Sequence, residues 1–314
     1  MSLNVLEENP SSNRLSQPRE AVAIRSGQSV SAIIVSYNPA PDILINISSL
    51  RDQVRSIVVV DNGSRSSQLE LLRDARSKYE FDLIENGCNL GIAAALNAGV
   101  RKVRAQGADW AALFDQDSRV DPDFIPRILQ SVRNAPAAAQ VGVACPVYFD
   151  SETAIMTPVA RSKTGEILAA MTSGSLIRTE LFDHLGTFNE SLFIDYVDIE
   201  FCLRARRAGY SIIQCPGAVL HHNQGQITRH RLIGRSFGTT NHSAARRYYI
   251  TRNRLWVLRK FINDWPWSRQ EIRSLITETA KILLVEKDRL KKLEAVSIGF
   301  LDAFRGKLGK RCNL

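Results

Sequence analysis

The sequence predicts an α/β fold in which a mostly parallel sheet is covered by helices on both faces and is followed by a helical C-terminal extension. Three observations predict it: short apolar runs without polar alternation, amphipathic stretches between those runs, and a basic, helically spaced segment after residue 243. Strands that are apolar throughout are typical of sheets buried on both faces, and alternation of strands with helices is typical of parallel sheets.

Each predicted strand is an apolar run that ends in turn residues. In chain order the first five strands are residues 31–35, 56–60, 81–84, 110–114 and 141–144. Amphipathic spacing predicts helices at residues 91–104 and 123–133, and a less regular stretch contains strands at 168–171 and 211–214 and a helix at 195–208. These lengths and spacings are those of strand–helix–strand units.

Composition excludes several classes of protein. The chain has 314 residues and contains no apolar run near the 18 residues that a membrane-spanning helix needs. Its first residues lack the basic stretch and apolar core of a secretory signal. The five cysteines are an odd number without a Cys-x-x-Cys pair, which is typical of reduced thiols. We therefore expect a cytoplasmic protein.

Positive charge is concentrated at one end of the chain. Residues 244–314 contain 17 Lys and Arg against 7 Asp and Glu, whereas the whole chain has a net charge of +9. Such an excess predicts a polyanionic partner, either lipid headgroups or a pyrophosphate. Solvated helices that only keep the protein soluble are the alternative, and we do not predict a nucleic-acid partner.

Polar side chains stand at the carboxyl ends of four predicted strands, in the segments 36–38, 61–64, 85–86 and 115–117. Ligands of open parallel sheets bind beyond these ends. Asp61-Asn62-Gly63 by itself is equally typical of a turn. Because four strands end in the same way, a binding site at this edge is the favoured interpretation.

Asp115-Gln116-Asp117 directly follows a predicted buried strand. Residues two apart in an extended chain point to the same side, so we expect both carboxylates to face one ion. Mg²⁺ or Mn²⁺ prefers such oxygen ligands, and the phosphates of a bound nucleotide would complete its coordination. The pattern therefore predicts a divalent metal bound together with a phosphorylated ligand.

Two further groups of residues contain side chains that can act as a base or as a metal ligand. Asp195, Asp198 and Glu200 form a second acidic cluster, in which one carboxylate could act as a base and the others could only favour a helix start. His221 and His222 follow a predicted strand, where an imidazole could be a further metal ligand or a structural side chain.

A nicotinamide-dependent enzyme is the competing interpretation, because an acidic residue such as Asp61 can bind a ribose. That class needs a glycine-rich turn after the first strand, whereas this chain has Ser36-Tyr37-Asn38-Pro39. It also leaves Asp115 and Asp117 without a role, and we set it aside.

Together these segments resemble the family-2 inverting glycosyltransferases of the GT-A fold, and more narrowly bacterial L-rhamnosyltransferases. The resemblance covers residues 30–253. Its motifs are Ser36-Tyr37-Asn38-Pro39, Val60 to Ser64, Asn89 to Gly99, Leu113 to Ser118, Ser173-Gly174-Ser175, Phe193 to Glu200 and Arg247 to Asn253.

The resemblance implies a role for each matching residue. Asp61 would hold the pyrimidine base with Tyr37 nearby, and Gly91 and Asn97 would shape the donor site. The implied donor-binding residues are Tyr37, Asn38, Asp61, Gly91, Asn97, Asp115 and Gln116. The implied metal ligands are Asp115, Asp117 and His222, which the resemblance selects over His221.

The resemblance also implies that Asp198 is the catalytic base. Relatives carry an acid where this chain has Val197, which leaves Asp195 as a possible substitute base. The implied organisation is a loose tail at 1–28, a GT-A catalytic domain at 29–243 and a basic helical region at 244–314. Within the catalytic domain, residues 29–120 would bind the nucleotide and residues 121–243 the acceptor.

The predicted activity is metal-dependent transfer of L-rhamnose from dTDP-L-rhamnose to an acceptor hydroxyl, with inversion at the anomeric carbon. The acceptor would be a saccharide or a lipid-linked saccharide of cell-surface polysaccharide or glycolipid synthesis, and a uridine donor stays open. A nucleotidyltransferase acting on a sugar phosphate and a non-catalytic carbohydrate-binding homologue are the alternatives.

We further expect reversible binding of the C-terminal region to an anionic membrane surface on the cytoplasmic side. Apolar residues recur there at helical spacing, at Ile272, Leu275, Ile276, Leu283, Leu290 and Leu293, and Trp265 and Trp267 precede them. The alternative is that this stripe packs against the catalytic domain. Arg246, Arg247 and Arg252 could instead hold a phosphate of the donor or the acceptor.

Overall fold

The structure is a computed structural model, and it describes residues 28–150, 155–221, 228–232 and 235–311. The predicted tail at 1–28 lies outside these residues except for Gln28, and His222 also lies outside them.

The secondary structure follows the predicted alternation of strands and helices. The strands are β1 (Val30–Ser36), β2 (Ser56–Asp61), β3 (Asp82–Glu85), β4 (Trp110–Asp115), β5 (Arg119–Val120), β6 (Val141–Asp150), β7 (Ile155–Thr157), β8 (Ala160–Arg161), β9 (Ile167–Ala169), β10 (Leu176–Arg178), β11 (Ser211–His221), β12 (Thr228–Leu232) and β13 (Arg235–Thr239). The helices are α1 (Ile43–Leu50), α2 (Ser66–Tyr79), α3 (Ile92–Ala105), α4 (Phe124–Arg133), α5 (Leu181–Leu185), α6 (Val197–Arg207), α7 (Ala244–Phe261), α8 (Trp265–Leu284) and α9 (Arg289–Phe304).

A large mixed sheet forms the centre, with the strand order β3-β2-β1-β4-β10-β6-β11-β5 and with β7 beside β6. The pairs β3–β2, β2–β1, β1–β4 and β6–β11 are parallel, as predicted. The short strand β10 lies antiparallel between β4 and β6 and was not predicted, because three residues after a turn carry too little periodicity. The predicted strand at 168–171 appears as β9, which pairs with β8 in a separate sheet.

Helices flank this sheet, and the core lies at their contacts with it. On α3 the residues Ala93, Leu96, Val100 and Val103 recur at helical spacing and are buried. At Gly99 an added Cβ would lie 2.4 Å from a methyl carbon of Ile33 on β1. Glycine is therefore required where α3 crosses the sheet most closely.

The register of the parallel strands confirms that their polar ends converge. Ser36 lies beside Asp61, Asp61 lies beside Glu85, and Asp115 lies beside Val35. Because neighbouring parallel strands end at one edge, these side chains share one rim of the sheet.

The helical C-terminal region is confirmed as α7, α8 and α9. Within the described ranges, no helix is both long enough and apolar enough to cross a bilayer. Helix α7 is basic, yet its Arg247 is buried and donates to Glu278 at 3.1 Å and also pairs with Glu286. Arg252 of α7 is buried as well and donates to backbone carbonyl oxygens. Arg252 is thus already engaged within the protein, whereas Arg247 Nε has no hydrogen-bond partner among the described residues. The interpretation that these arginines hold a ligand phosphate stays a prediction.

Candidate active site

A cavity of about 570 Å³ opens beside the carboxyl end of β4. It is bounded by β4, by the start of α6, by α7 and by α8. The titratable side chains that line it are Asp115, Asp195, Tyr196, Asp198, His242, Arg246, Arg247, Arg254, Glu278, Lys281 and Glu286. The two predicted acidic clusters therefore meet in one cavity, although about 80 residues separate them in the chain.

Asp198 is the second residue of α6 and faces this cavity. Burial raises the pKa of its carboxyl group to about 6, and the nearby charges of Asp195 and Asp115 contribute to the rise. The Ile199 N–H donates to Asp198 Oδ1 at 2.8 Å and opposes this rise, because it stabilises the ionised form. Asp198 is thus a carboxylate at neutral pH with unusually high proton affinity.

Asp195 precedes α6 and does not belong to it. The predicted helix at 195–208 begins instead at Val197, because Asp195 and Tyr196 have φ values of 63° and 67°. A left-handed backbone cannot continue a right-handed helix. Asp195 and Asp198 are therefore not both in the helix, but both side chains line the same cavity.

The two carboxylate oxygens of Asp195 have different surroundings. Oδ1 accepts a hydrogen bond from Arg246 at 3.1 Å. Oδ2 is buried, and within the part of the chain that the structure describes it has no hydrogen-bond partner. Burial raises the pKa of Asp195, whereas Arg246 lowers it. A buried oxygen without a partner is well suited to accept a hydrogen bond from a ligand hydroxyl.

Asn253 of α7 holds the loop before α6 in its unusual conformation. Its side-chain nitrogen donates to the carbonyl oxygens of Leu192, Ile194 and Asp195 at 2.8, 2.7 and 3.0 Å. Phe193 in the same loop also has a positive φ, of 64°. Left-handed backbone at non-glycine residues costs free energy and persists only where the surroundings enforce it. The sequence motif that ends at Asn253 did not by itself indicate this role.

The segment after α9 contacts the same loop. The Gly309 N–H donates to the Ser191 carbonyl at 2.6 Å, and Arg252 donates to the Gly309 carbonyl at 2.6 Å. Lys310 donates to the Asn89 carbonyl at 3.1 Å. Residues 309–310 therefore connect the loop of the acidic cluster with the segment that leads into α3.

The Asp115-Gln116-Asp117 segment forms a turn, not the predicted extended chain. Asp115 ends β4, and the Ser118 N–H donates back to the Asp115 carbonyl at 3.2 Å. Asp115 lines the cavity and Asp117 is exposed. Gln116 accepts from the Tyr37 N–H at 2.8 Å, which joins the ends of β4 and β1. Gln116 therefore positions the turn.

Asp61 is buried, and its carboxylate accepts four hydrogen bonds from its own neighbourhood. The donors are the Gly63 and Ser64 N–H groups at 3.1 and 3.0 Å, the Ser36 hydroxyl at 3.4 Å and the Ser64 hydroxyl. Four acceptor positions are about the full capacity of a carboxylate. To bind a base N–H, as predicted, Asp61 must release one of these bonds.

The predicted donor residue Asn97 is fully buried and does not face the cavity. It donates to the Phe188 carbonyl at 3.0 Å and to Glu190 at 2.8 Å, and it accepts from the Phe188 N–H at 2.9 Å. Direct contact of Asn97 with a donor is therefore excluded in this conformation, and the residue positions the 188–190 segment.

Gly91 and a group of asparagines shape the rim between β2 and α3. An added Cβ at Gly91 would lie 2.5 Å from the Phe193 carbonyl oxygen, and its φ of 92° also favours glycine. Asn62 donates to Asn89 at 3.2 Å and accepts from Asn86 at 3.1 Å. This asparagine network joins the loop after β2 to the loop between β3 and α3, and it was not predicted from the sequence.

The histidines are distributed over different places. His221 ends β11, 3.6 Å from Asp121, and lines a second cavity rather than the one that contains Asp198. The predicted ligand His222 lies outside the described residues. His242, which was not selected from the sequence, lines the cavity beside Arg246. Burial lowers the pKa of His242 to about 4, so its imidazole is neutral at pH 7.

The donor set fits a hard divalent cation in its chemistry. Asp115 offers carboxylate oxygens at the cavity, and Asp117 offers an exposed carboxylate in the same turn; Mg²⁺ and Mn²⁺ prefer such oxygen ligands. Among the described residues no group of three Asp, Glu, His or Cys side chains is close enough to hold an ion. A complete protein-only site is thus not formed by this part of the chain.

Comparison with known proteins identifies the family. The model of glycosyl transferase family 2 matches residues 31–186. The chain is 30% identical over 294 residues to dTDP-rhamnosyl transferase RfbF of Shigella flexneri, which covers 88% of this chain and 96% of that protein. The chain belongs to glycosyl transferase family 2.

Two further proteins show how widely the likeness extends. The N-acetylglucosaminyl-diphospho-decaprenol L-rhamnosyltransferase of Mycobacterium tuberculosis (strain CDC 1551 / Oshkosh) is 24% identical, over 60% of this chain and 75% of that protein. The mannosyltransferase PcManGT of Pyrobaculum calidifontis, solved with GDP-Man and Mn²⁺, superposes with a TM-score of 0.56 at 19% identity, over 88% of this chain and 74% of that one. The predicted GT-A fold is confirmed, and this family-2 chain is a glycosyltransferase.

Proposed function

We propose that this glycosyltransferase moves L-rhamnose from dTDP-L-rhamnose to an acceptor hydroxyl, with inversion and with a divalent metal. The observation that carries the proposal is the position of Asp198, a half-buried carboxylate that shares one cavity with Asp115. The rhamnosyl groups in the names of the Shigella and Mycobacterium relatives support the choice of sugar.

Asp198 is the proposed base. With a pKa of about 6 it is ionised at neutral pH and still has enough proton affinity to take the proton of an attacking hydroxyl. Asp195 is the weaker candidate because Arg246 pairs with its Oδ1 at 3.1 Å and stabilises its ionised form. In this proposal Asp195 uses its other oxygen, which has no described partner, to orient the acceptor.

Asp115 and Asp117 are the proposed protein ligands of Mg²⁺ or Mn²⁺, and His222 remains a proposed third ligand. When bound, the cation would neutralise charge that develops on the departing nucleoside diphosphate. The turn held by Gln116 keeps Asp115 at the cavity. The mannosyltransferase PcManGT was solved with Mn²⁺ and GDP-Man, which supports a metal and a nucleotide-sugar donor in this fold.

The acceptor in this proposal is a saccharide, free or linked to a lipid, in the synthesis of a cell-surface polysaccharide or glycolipid. We propose that the reaction takes place on the cytoplasmic side of the membrane. The name of the Mycobacterium relative includes a diphospho-decaprenol acceptor, which supports a lipid-linked substrate.

Incubation with a panel of nucleotide sugars tests the donor and the metal together. Released nucleoside diphosphate would be measured with and without EDTA, and with saccharide acceptors present or absent. We expect the fastest release from dTDP-L-rhamnose and loss of release in EDTA. Faster turnover of UDP-glucose or UDP-galactose would contradict the choice of donor. Transfer of a nucleotidyl group to a sugar phosphate would instead support a nucleotidyltransferase.

A further inference from the structure

Several large apolar side chains of α8 are exposed, although their helical spacing is also compatible with a face that packs against the catalytic domain. Ile272, Ile276 and Leu283 lie four and seven residues apart and so share one face of the helix. The exposed fraction is 64% for Ile276 and 50% for Leu283. Ile276 and Leu283 are therefore only partly covered by the rest of the protein, whereas Ile272 is 37% exposed.

Helix α9 exposes a second apolar face. Leu290 is 84% exposed, and Leu301 and Phe304 lie about three and four turns further along. The Phe300 and Phe304 rings contact each other, with centroids 4.8 Å apart. An exposed aromatic and aliphatic face of this kind is unusual on a soluble surface that has no partner.

Exposed apolar residues of both helices lie close together in sequence where α8 is connected to α9. We call residues 283–291 the α8–α9 elbow. It presents Leu283, Leu284 and Leu290 to solvent, and Lys287, Arg289 and Lys291 surround them. Arg289 donates to the Leu283 carbonyl at 3.1 Å, which fixes the turn. Asp288 is the exposed acid of the elbow, because Glu286 is buried against Arg247 and Lys292.

In the C-terminal helices, most acidic side chains point into the protein, whereas many basic side chains point to solvent. Most acids point inward into ion pairs: Asp264 with Arg206, Glu271 with Arg254, Glu278 with Arg247, Glu286 with Lys292, and Asp302 with Arg311. The exposed cations between residues 265 and 310 are Arg269, Arg273, Lys287, Arg289, Lys291, Arg305, Lys307 and Lys310. The exposed acids in that range are Asp288 and Glu294. Among the exposed side chains of residues 265–310, cations outnumber acids by six, whereas among all side chains of that range they outnumber acids by four.

We propose that the α8–α9 elbow and the two apolar helix faces bind the surface of an anionic bilayer. The apolar side chains would enter the boundary between headgroups and acyl chains, and the surrounding cations would contact lipid phosphates. Trp265, exposed at the start of α8, has the amphipathic ring that favours headgroup depth. This inference does not depend on the proposed sugar transfer.

The positive charge of the α8–α9 elbow makes a second copy of the chain an unfavourable partner for this surface. A two-fold interface contains the same patch from both copies, so it would bring together two sets of Lys287, Arg289 and Lys291 side chains. Like charges brought together in an interface are unfavourable. An anionic lipid surface instead complements both the apolar and the basic part of the elbow.

Vesicle sedimentation of the full-length protein tests this proposal without any sugar donor. We expect pelleting with phosphatidylcholine vesicles that contain phosphatidylglycerol at low salt, and weaker binding to phosphatidylcholine alone. The double variant Lys287→Gln/Lys291→Gln should lower the partition coefficient about 30-fold, and Leu284→Ser/Leu290→Ser at least about 10-fold. All four side chains are exposed, and thermal unfolding should be unchanged.

Matched controls come from exposed residues elsewhere in the chain. Lys78→Gln/Lys163→Gln and Ile45→Ser/Met156→Ser should bind as the wild type does. Equal binding by the elbow variants, or retention of the full-length protein in the supernatant at low salt, would overturn the proposal. Equal binding to neutral vesicles would also overturn it. So would a dimer in sedimentation velocity that Leu284→Ser/Leu290→Ser dissociates, because a second copy would then cover the elbow.

Discussion

Asp198→Asn is expected to stabilise the protein while it removes sugar transfer. The ordinary pKa of an Asp side chain is 3.8, whereas burial raises that of Asp198 to about 6 in the folded protein. The folded state therefore holds the ionised form at a cost of about 3 kcal/mol relative to the unfolded chain. The amide of Asn keeps the shape and can still accept from the Ile199 N–H, but it carries no charge.

The pH dependence has a defined sign. Below about pH 3 the carboxyl is protonated in both states, and the substitution should change the free energy of unfolding little. As the pH rises, the unfolded chain ionises first and the native state loses stability until about pH 6. Asp198→Asn should thus raise the free energy of unfolding by about 1.6 kcal/mol at pH 5 and by about 3 kcal/mol at pH 8.

Urea unfolding at pH 5 and pH 8 in EDTA measures these two values, because a bound cation would itself alter the carboxyl group. Asp74→Asn, at an exposed position, serves as the matched control and should change stability by less than about 0.5 kcal/mol. An Asp198→Asn protein that gains no more stability at pH 8 than at pH 5 would refute the reasoning about burial. In transfer assays the same variant should lose about 10²–10⁴-fold in rate. A larger loss from Asp195→Asn would identify that residue as the base.

Three further results are expected. Gly91→Ala should lower the free energy of unfolding by at least about 2 kcal/mol in urea titrations, because its Cβ would meet the Phe193 carbonyl and its φ is positive; an unchanged value would contradict the described contact. Asn253→Ala should lower kcat by at least about 10-fold, with unchanged nucleoside diphosphate affinity in calorimetry, since it frees the loop before α6; a fall that only follows the folded fraction would leave Asn253 a purely structural role. Asp117→Ala and His222→Ala should each abolish metal-dependent turnover, and an active His222→Ala enzyme with the same metal requirement would favour His221 or a structural role.

The sheet and its functional rim were largely predictable from the sequence. Strands such as β1 and β4 are apolar throughout, so their burial is a local property that a single segment reveals. Parallel pairing then brings their ends together, which is why Ser36, Asp61 and Asp115 were correctly placed on one rim. The antiparallel insertion of β10 depends on pairing with β4 and β6, and three residues carry no signal of that.

The loop of the acidic cluster was not predictable, because its conformation is set from a distance. Acidic residues at 195 and 198 are compatible with one continuous helix, and local preference alone favours that interpretation. The left-handed backbone of Asp195 and Tyr196 is enforced by Asn253, which is more than 50 residues away in the chain. His242 was missed for a related reason: a single histidine before a helix gives no local indication that it faces a cavity formed by other segments.

The contact between Gly309 and Ser191 affects the order in which the enzyme folds during translation. Ser191 leaves the translating ribosome well before Gly309, which follows roughly 120 residues later. At about 5–20 residues per second, this interval lasts about 6–24 s. During that time the sheet can form, but the segment that braces the loop before Asp198 has not been made. The nascent chain should therefore form the strands of its sheet before the loop that precedes Asp198 reaches its final conformation.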